Sequence, residues 1–248
     1  MQQQRPNSQP IFNAPTCVIS LIGILVAIYL LRLPLAIETD NWIVGLTALM
    51  PARYVGYADQ LPGGVAAMIT SPVTYMFVHD GLGHVIFNSL WLLIFGSAIA
   101  YRIGAVRFLM FCLATGLCGA LVFVVMNWGD VVPVVGASGA VSGLLGGMLR
   151  FFFRALDLGG IHILRSAPRS VNLMSLGEAL TDRRIQVMIA VWLAINLLSA
   201  FGIDGTDAGS VAWETHLGGF VAGFLSFGWF DEERPPRRKK HPHLRVVH

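Results

Sequence analysis

Four polar side chains in otherwise apolar sequence have the types and spacing to do chemistry together: Ser138, His216, His84 and Asn88. Ser138 is boxed by glycines as Gly136-Ala137-Ser138-Gly139 within VVPVVGASGAVSGLLGGML, which carries no charge. A hydroxyl becomes a useful nucleophile only when a neighbouring base takes its proton, and imidazole titrates near neutrality. His84 and Asn88 are four residues apart, so on a helix they share one face. Each residue alone has a plainer explanation. A serine in a membrane helix usually bonds the carbonyl one turn back, a histidine at a helix end is commonly interfacial, and an asparagine serves as interhelical glue. Polar groups that meet at one depth are costly in apolar surroundings and point to a functional site.

The surroundings are those of a membrane protein. Of 248 residues, 55% are hydrophobic and only 12% charged, with a mean hydropathy of +0.65, far below the roughly 25% charge of soluble domains. About 20 apolar residues cross a bilayer, and six windows qualify: 15–34, 84–101, 106–127, 133–153, 185–202 and 213–230. The expected fold is an all-α polytopic bundle of six transmembrane helices (15–230), with a polar tail (1–14), a basic tail (231–248) and a long interfacial first loop. The first span reads as a retained anchor rather than a signal peptide.

Basic residues collect on the cytoplasmic side. Arg102 and Arg107 follow span two; Arg150, Arg154, Arg165, Arg169, Arg183 and Arg184 follow span four; Arg234, Arg237, Arg238, Lys239, Lys240 and Arg245 follow span six. The other loops hold Arg53 among acidic residues. Both termini are therefore expected in the cytoplasm, and economy of the chain suggests a bacterial inner membrane. The basic tail reads as a solvated flank, with no nucleic-acid partner. Cys17, Cys112 and Cys118 lie in spans, and no spacing suggests a metal, cofactor or disulfide.

Spans two, four and six all descend from outside in this topology, which puts Ser138, His216, His84 and Asn88 near the outer leaflet. From Ser138 to Arg150 is about 18 Å of helix, too short for a crossing of about 30 Å. Either the span runs on through Phe153, or residues 131–137 enter as non-helical chain and the helix starts near Ser138. Pro133 and Gly136 favour the second, which requires a wet pocket there. Gly139, Gly143, Gly146 and Gly147 on span four and Gly219 and Gly223 on span six permit close helix approach. No carboxylate is placed to orient His216: Glu214 falls on another face, and Asp130, Asp204 and Asp207 read as loop charges.

The Gly136-Ala137-Ser138-Gly139 box, His84-Val85-Ile86-Phe87-Asn88, and His216 followed by Gly219 and Gly223 resemble the rhomboid family of intramembrane serine proteases. ITSPVTYMFVHDGLGHVIFN, with His79 five residues before His84, extends the likeness, which covers roughly residues 15–230. By that resemblance Ser138 is the nucleophile and His216 its base, in a dyad, with His84, Asn88 and the Ser138 N–H forming the oxyanion hole. The substrates it implies are transmembrane segments of other proteins, entering near spans two and five under the 203–212 loop, whose Gly202, Gly205 and Gly209 permit movement. The 35–70 loop, with Trp42, Tyr54 and Tyr57, is expected at the outer face. Ser142 departs from the pattern, since many rhomboids carry an aromatic there to stack on the histidine. The 150–184 loop has no assigned role. The competing readings are a catalytically inactive rhomboid-like binding protein and a small polytopic transporter.

Overall fold

The computed structural model describes residues 14–201 and 211–231. Residues 1–13 of the polar tail, 232–248 of the basic tail and 202–210, with Gly202, Gly205, Gly209, Asp204 and Asp207, lie outside these described residues. All regular structure within them is helical. In chain order the α-helices are α1 (Thr16–Arg32), α2 (Ile37–Thr47), α3 (Gly64–Thr74), α4 (Leu82–Trp91), α5 (Ser97–Ile103), α6 (Ala105–Met126), α7 (Ser138–Leu149), α8 (Phe152–Gly159), α9 (Ile161–Ser166), α10 (Leu176–Thr181), α11 (Arg183–Ala200) and α12 (Trp213–Phe230). A π-helical turn, Leu92–Gly96, joins α4 to α5 in one run from Leu82 to Ile103.

The chain is an integral membrane protein. The Leu82–Ile103 run, α6 and α11 are each long and apolar enough to cross a bilayer, and the bent pair α7–α8 makes a fourth candidate. At 22 residues, α6 reaches about 33 Å. Helix α1 and the Gly64–Phe77 segment are apolar but shorter. Helix α12 carries glycines, Glu214 and His216, which lower its hydropathy, and its buried face packs on α6 and α7.

Helix α7 is the centre of the bundle, with every residue from Gly139 to Leu149 buried. Missing side chains make its contact with α12 possible. A Cβ on Gly219 would strike the Gly139 carbonyl, and one on Gly223 the Gly143 carbonyl, so the two backbones touch twice, one turn apart. On another face of α7, Gly143 admits Thr115 of α6, while Gly147 lies against Phe111 and Phe227.

The approach to α7 is not helical. Leu49 and Val134 exchange two backbone hydrogen bonds at 3.0 and 2.9 Å, and Ala52 N–H donates to Asp130 O at 2.9 Å. The first loop thereby holds residues 130–134 extended. Of the two sequence alternatives for span four, the structure takes the second, with the helix starting at Ser138; α8 then departs at 48°. The 35–70 loop is itself partly helical, containing α2 and most of α3.

The 150–184 segment packs as a folded cap. Arg150, expected as an interfacial charge, is buried: Nε and Nη2 donate to Met174 O at 2.9 and 2.6 Å, and Nη1 to Phe224 O at 2.8 Å. Arg102 is buried too, paired with Asp231 at 2.6 Å and donating to Pro168 O and Val171 O. A capping box on Ser175 and Glu178 starts α10.

Candidate functional site

Ser138 is the first residue of α7, so its N–H has no acceptor within the helix. Gly136 sets this start. Its φ of +115° is open to glycine alone at low cost, its N–H donates to Tyr75 O at 2.8 Å, and a Cβ there would overlap the His84 ring. His84 therefore rests against the backbone two residues before Ser138. Its Nδ1 pairs with Asp80 Oδ1 at 2.5 Å, which leaves Nε2 as the nitrogen facing Gly136.

His79 and His84 meet edge to face at 4.9 Å. His79 is buried, and its Nε2 accepts the Ala137 N–H at 3.4 Å. Arg32 ties this segment to α1 and α2 by donating to His79 O at 2.7 Å and pairing with Asp40 at 2.7 Å. A polar cavity of about 220 Å³ opens here, lined by Arg32, Asp40, His79 and Asp80 among others. Ser138 does not line this cavity, so it is not the wet pocket expected beside that residue. Asn88 is buried one turn after His84; its Nδ2 donates to His84 O at 3.0 Å, while Oδ1 has no protein partner.

His216 is in the first turn of α12. Its neighbour Thr215 packs on Gly139, the neighbour of Ser138, so close that a Cβ on Gly139 would lie 2.8 Å from the threonine methyl. The two backbones that carry Ser138 and His216 are therefore in contact, although the hydroxyl and the ring share no hydrogen bond among the described residues. Glu214 points elsewhere, toward Asn127 Nδ2 at 3.3 Å.

One residue at the site was missed in the sequence. Asn196, buried on α11, presents Oδ1 to His216 Nδ1 at 2.5 Å, while its Nδ2 donates to Trp192 O at 2.7 Å. Trp192 in turn stacks on Phe220 at 4.4 Å. The available signal was an amide in the apolar half of α11, four residues after a tryptophan.

A family model described as Rhomboid domain matches residues 66–231. The chain belongs to the rhomboid family. The match takes in α3 to α12, and with them all four site residues and Asn196, and leaves α1 and α2 outside. Among curated rhomboid relatives, the chain is 28% identical to "RHOMBOID-like protein 4" of Arabidopsis thaliana over 66% of its own length and 37% of that protein. It is 30% identical to "Rhomboid protease GluP" of Bacillus subtilis (strain 168) over 62% of its length and 24% of that protein. It is 36% identical to "Putative rhomboid protease YdcA" of the same organism over 30% of its length and 37% of that protein. The chain thus spans only about a quarter to two fifths of these rhomboid relatives. At the position where the rhomboid resemblance leads one to expect a stacking aromatic, Ser142 is buried, and no aromatic ring stacks on His216 among the described residues.

Proposed function

We propose that this rhomboid is an intramembrane serine endopeptidase that hydrolyses peptide bonds in or near transmembrane segments of other proteins. Ser138 is the nucleophile and His216 the general base. The observation that supports the reading is the double backbone contact between α7 and α12 at Gly139/Gly219 and Gly143/Gly223, the two helices whose first turns carry Ser138 and His216. The proposal includes six spans, both termini in the cytoplasm, a bacterial inner membrane and a site near the outer leaflet. The relative named a rhomboid protease supports the activity.

In the acylation step Ser138 Oγ adds to the scissile carbonyl while its proton passes to His216 Nε2. The tetrahedral oxyanion is met by the Ser138 N–H, which no helical carbonyl engages, with Asn88 and His84 beside it. With Nδ1–H given to Asp80, His84 donates from Nε2 only as the imidazolium. His216 then returns its proton to the leaving amine, and water, deprotonated by the same ring, releases the acyl group. Substrate helices must expose a carbonyl, so small or helix-breaking residues near the scissile bond favour cleavage.

The test is labelling of purified protein with a fluorophosphonate probe. Wild type is expected to label, and Ser138→Ala and His216→Ala to remain unlabelled while folded. Well-folded wild type that never labels would turn the reading toward a binding protein.

A further inference from the structure

We propose that Asn196 is the positioning residue of the catalytic histidine: its carboxamide oxygen fixes the tautomer and ring plane of His216 so that Nε2 carries the lone pair toward Ser138. This rests on the Ser138/His216 reading above.

The amide of Asn196 is not free to choose its direction. Trp192 O can only accept, so the group 2.7 Å from it is the NH₂ of Asn196, and the oxygen is the end turned to His216. An amide oxygen likewise only accepts, so His216 Nδ1 bears the hydrogen. A neutral imidazole with its proton on Nδ1 has its lone pair on Nε2, the state a general base needs. One backbone carbonyl therefore sets the amide, and the amide sets the imidazole.

The register between α11 and α12 makes this contact a built one. Trp192 and Asn196 are one turn apart on α11; His216 and Phe220 are one turn apart on α12. Asn196 meets His216 and Trp192 stacks on Phe220 at 4.4 Å and 22°. These are two rungs of one antiparallel ladder. Of the 18 residues of α11, only Ile185 and Asn196 are buried, so a helix that otherwise faces outward spends one of two buried positions on an amide.

Nothing else among the described residues orients the ring. No carboxylate bonds His216, no aromatic stacks on it, and Ser142 is too short to brace it. In soluble hydrolases a buried carboxylate holds the imidazole in its tautomer and stabilises the imidazolium. Here a neutral amide supplies the tautomer and plane with no buried charge, which suits a site in apolar surroundings.

The test compares Asn196→Leu, Asn196→Asp, Ser138→Ala and His216→Ala in the full chain, by fluorophosphonate labelling rate against pH and by thermal unfolding in one detergent. Asn196→Leu keeps the side-chain size and removes the acceptor. Its labelling rate should fall about ten- to a hundredfold or more, the loss seen when a metal-bound histidine loses its orienting partner being of that order, and its acid limb should move to lower pH. Asn196→Asp keeps an oxygen toward Nδ1 and adds a charge that favours the imidazolium; it should restore much of the rate and move the acid limb to higher pH. A purely structural role would lower both rates alongside the melting temperature and leave the pH profile in place. If Ser138→Ala and His216→Ala are silent while Asn196→Leu labels at the wild-type rate with an unshifted profile, Asn196 is overturned and the dyad stands. If Ser138→Ala still labels, the dyad falls and Asn196 with it. Should Asn196→Leu fail to fold, an unshifted profile in Asn196→Asp alone overturns the proposal.

Discussion

The two ends of α7 treat polar atoms in opposite ways. At the Arg150 end, buried guanidinium groups are fully engaged: Arg150 with Met174 O and Phe224 O, Arg102 with Asp231, Pro168 O and Val171 O. At the Ser138 end, the Ser138 hydroxyl bonds nothing among the described residues, and His79 Nδ1, Asn88 Oδ1 and Thr215 Oγ1 are buried without a protein partner. A buried polar atom left unpaired costs about 1–3 kcal/mol. The first end is built for stability, whereas the second carries a standing cost of the kind that functional sites carry.

Two substitutions break this contrast most directly. Ser138→Ala should reduce turnover at least about a thousandfold, as removing a nucleophile does, with melting unchanged or slightly raised, because a hydroxyl with no partner is lost. A Ser138→Ala protein that melted far lower would put a structural role at the open end and dissolve the comparison. Arg102→Met should do the reverse. It strands the Asp231 carboxylate, whose side chain is 11% exposed, and two carbonyls, for a stability loss of about 3–5 kcal/mol. The labelling rate per folded molecule should stay at wild type.

The same contrast explains what could be read from the sequence. Ser138, His216, His84 and Asn88 stood out as candidates because a hydroxyl, two imidazoles and an amide are chemically distinctive in apolar sequence, and the structure sets His84 against Gly136 and Thr215 against Gly139. The helix start at Ser138 was legible as one of two alternatives, from Pro133 and Gly136. The closed end was not. Counting arginines by side of the membrane treats Arg102 and Arg150 as flank charges, and nothing in that count separates a solvated guanidinium from one wrapped around backbone carbonyls. The capping box of Ser175 and Glu178 was not read from the sequence and emerges only with α10. Asn196 was missed because its meaning depends on the register of α11 against α12, which neither helix encodes alone.

Gly219→Ala tests the α7–α12 contact at the open end. Its Cβ would meet the Gly139 carbonyl, and backbone cannot rotate away as a side chain can. Overpacking of this kind costs about 1–3 kcal/mol, less than the loss expected for Arg102→Met. Because the displaced atoms adjoin Ser138, the labelling rate of molecules that remain folded should fall as well. Gly228→Ala is the control on the same helix, since its Cβ would meet only the Leu173 side chain at 3.7 Å. Equal effects from the two would mean that the α7–α12 approach does not set the site.

The smallest effect should come from Asp80→Asn, at the His84–Asp80 contact of the open end. The hydrogen bond from His84 holds the Asp80 carboxyl below its ordinary value, and the Asp80 side chain is 67% exposed, so solvent screens the pair. A carboxyl lowered in the folded state adds stability above its unfolded value of about 3.9, and loses it as pH falls through the lower folded value. The difference in melting temperature between wild type and Asp80→Asn should therefore hold a plateau near about pH 5 and shrink below about pH 4. Its plateau should correspond to less than about 1 kcal/mol, as for exposed pairs generally. A difference that persisted at about pH 3 would show that Asp80 acts through packing rather than charge. A plateau as large as that of Arg102→Met would mean the open end is braced electrostatically after all, and the division of labour along α7 would have to be withdrawn.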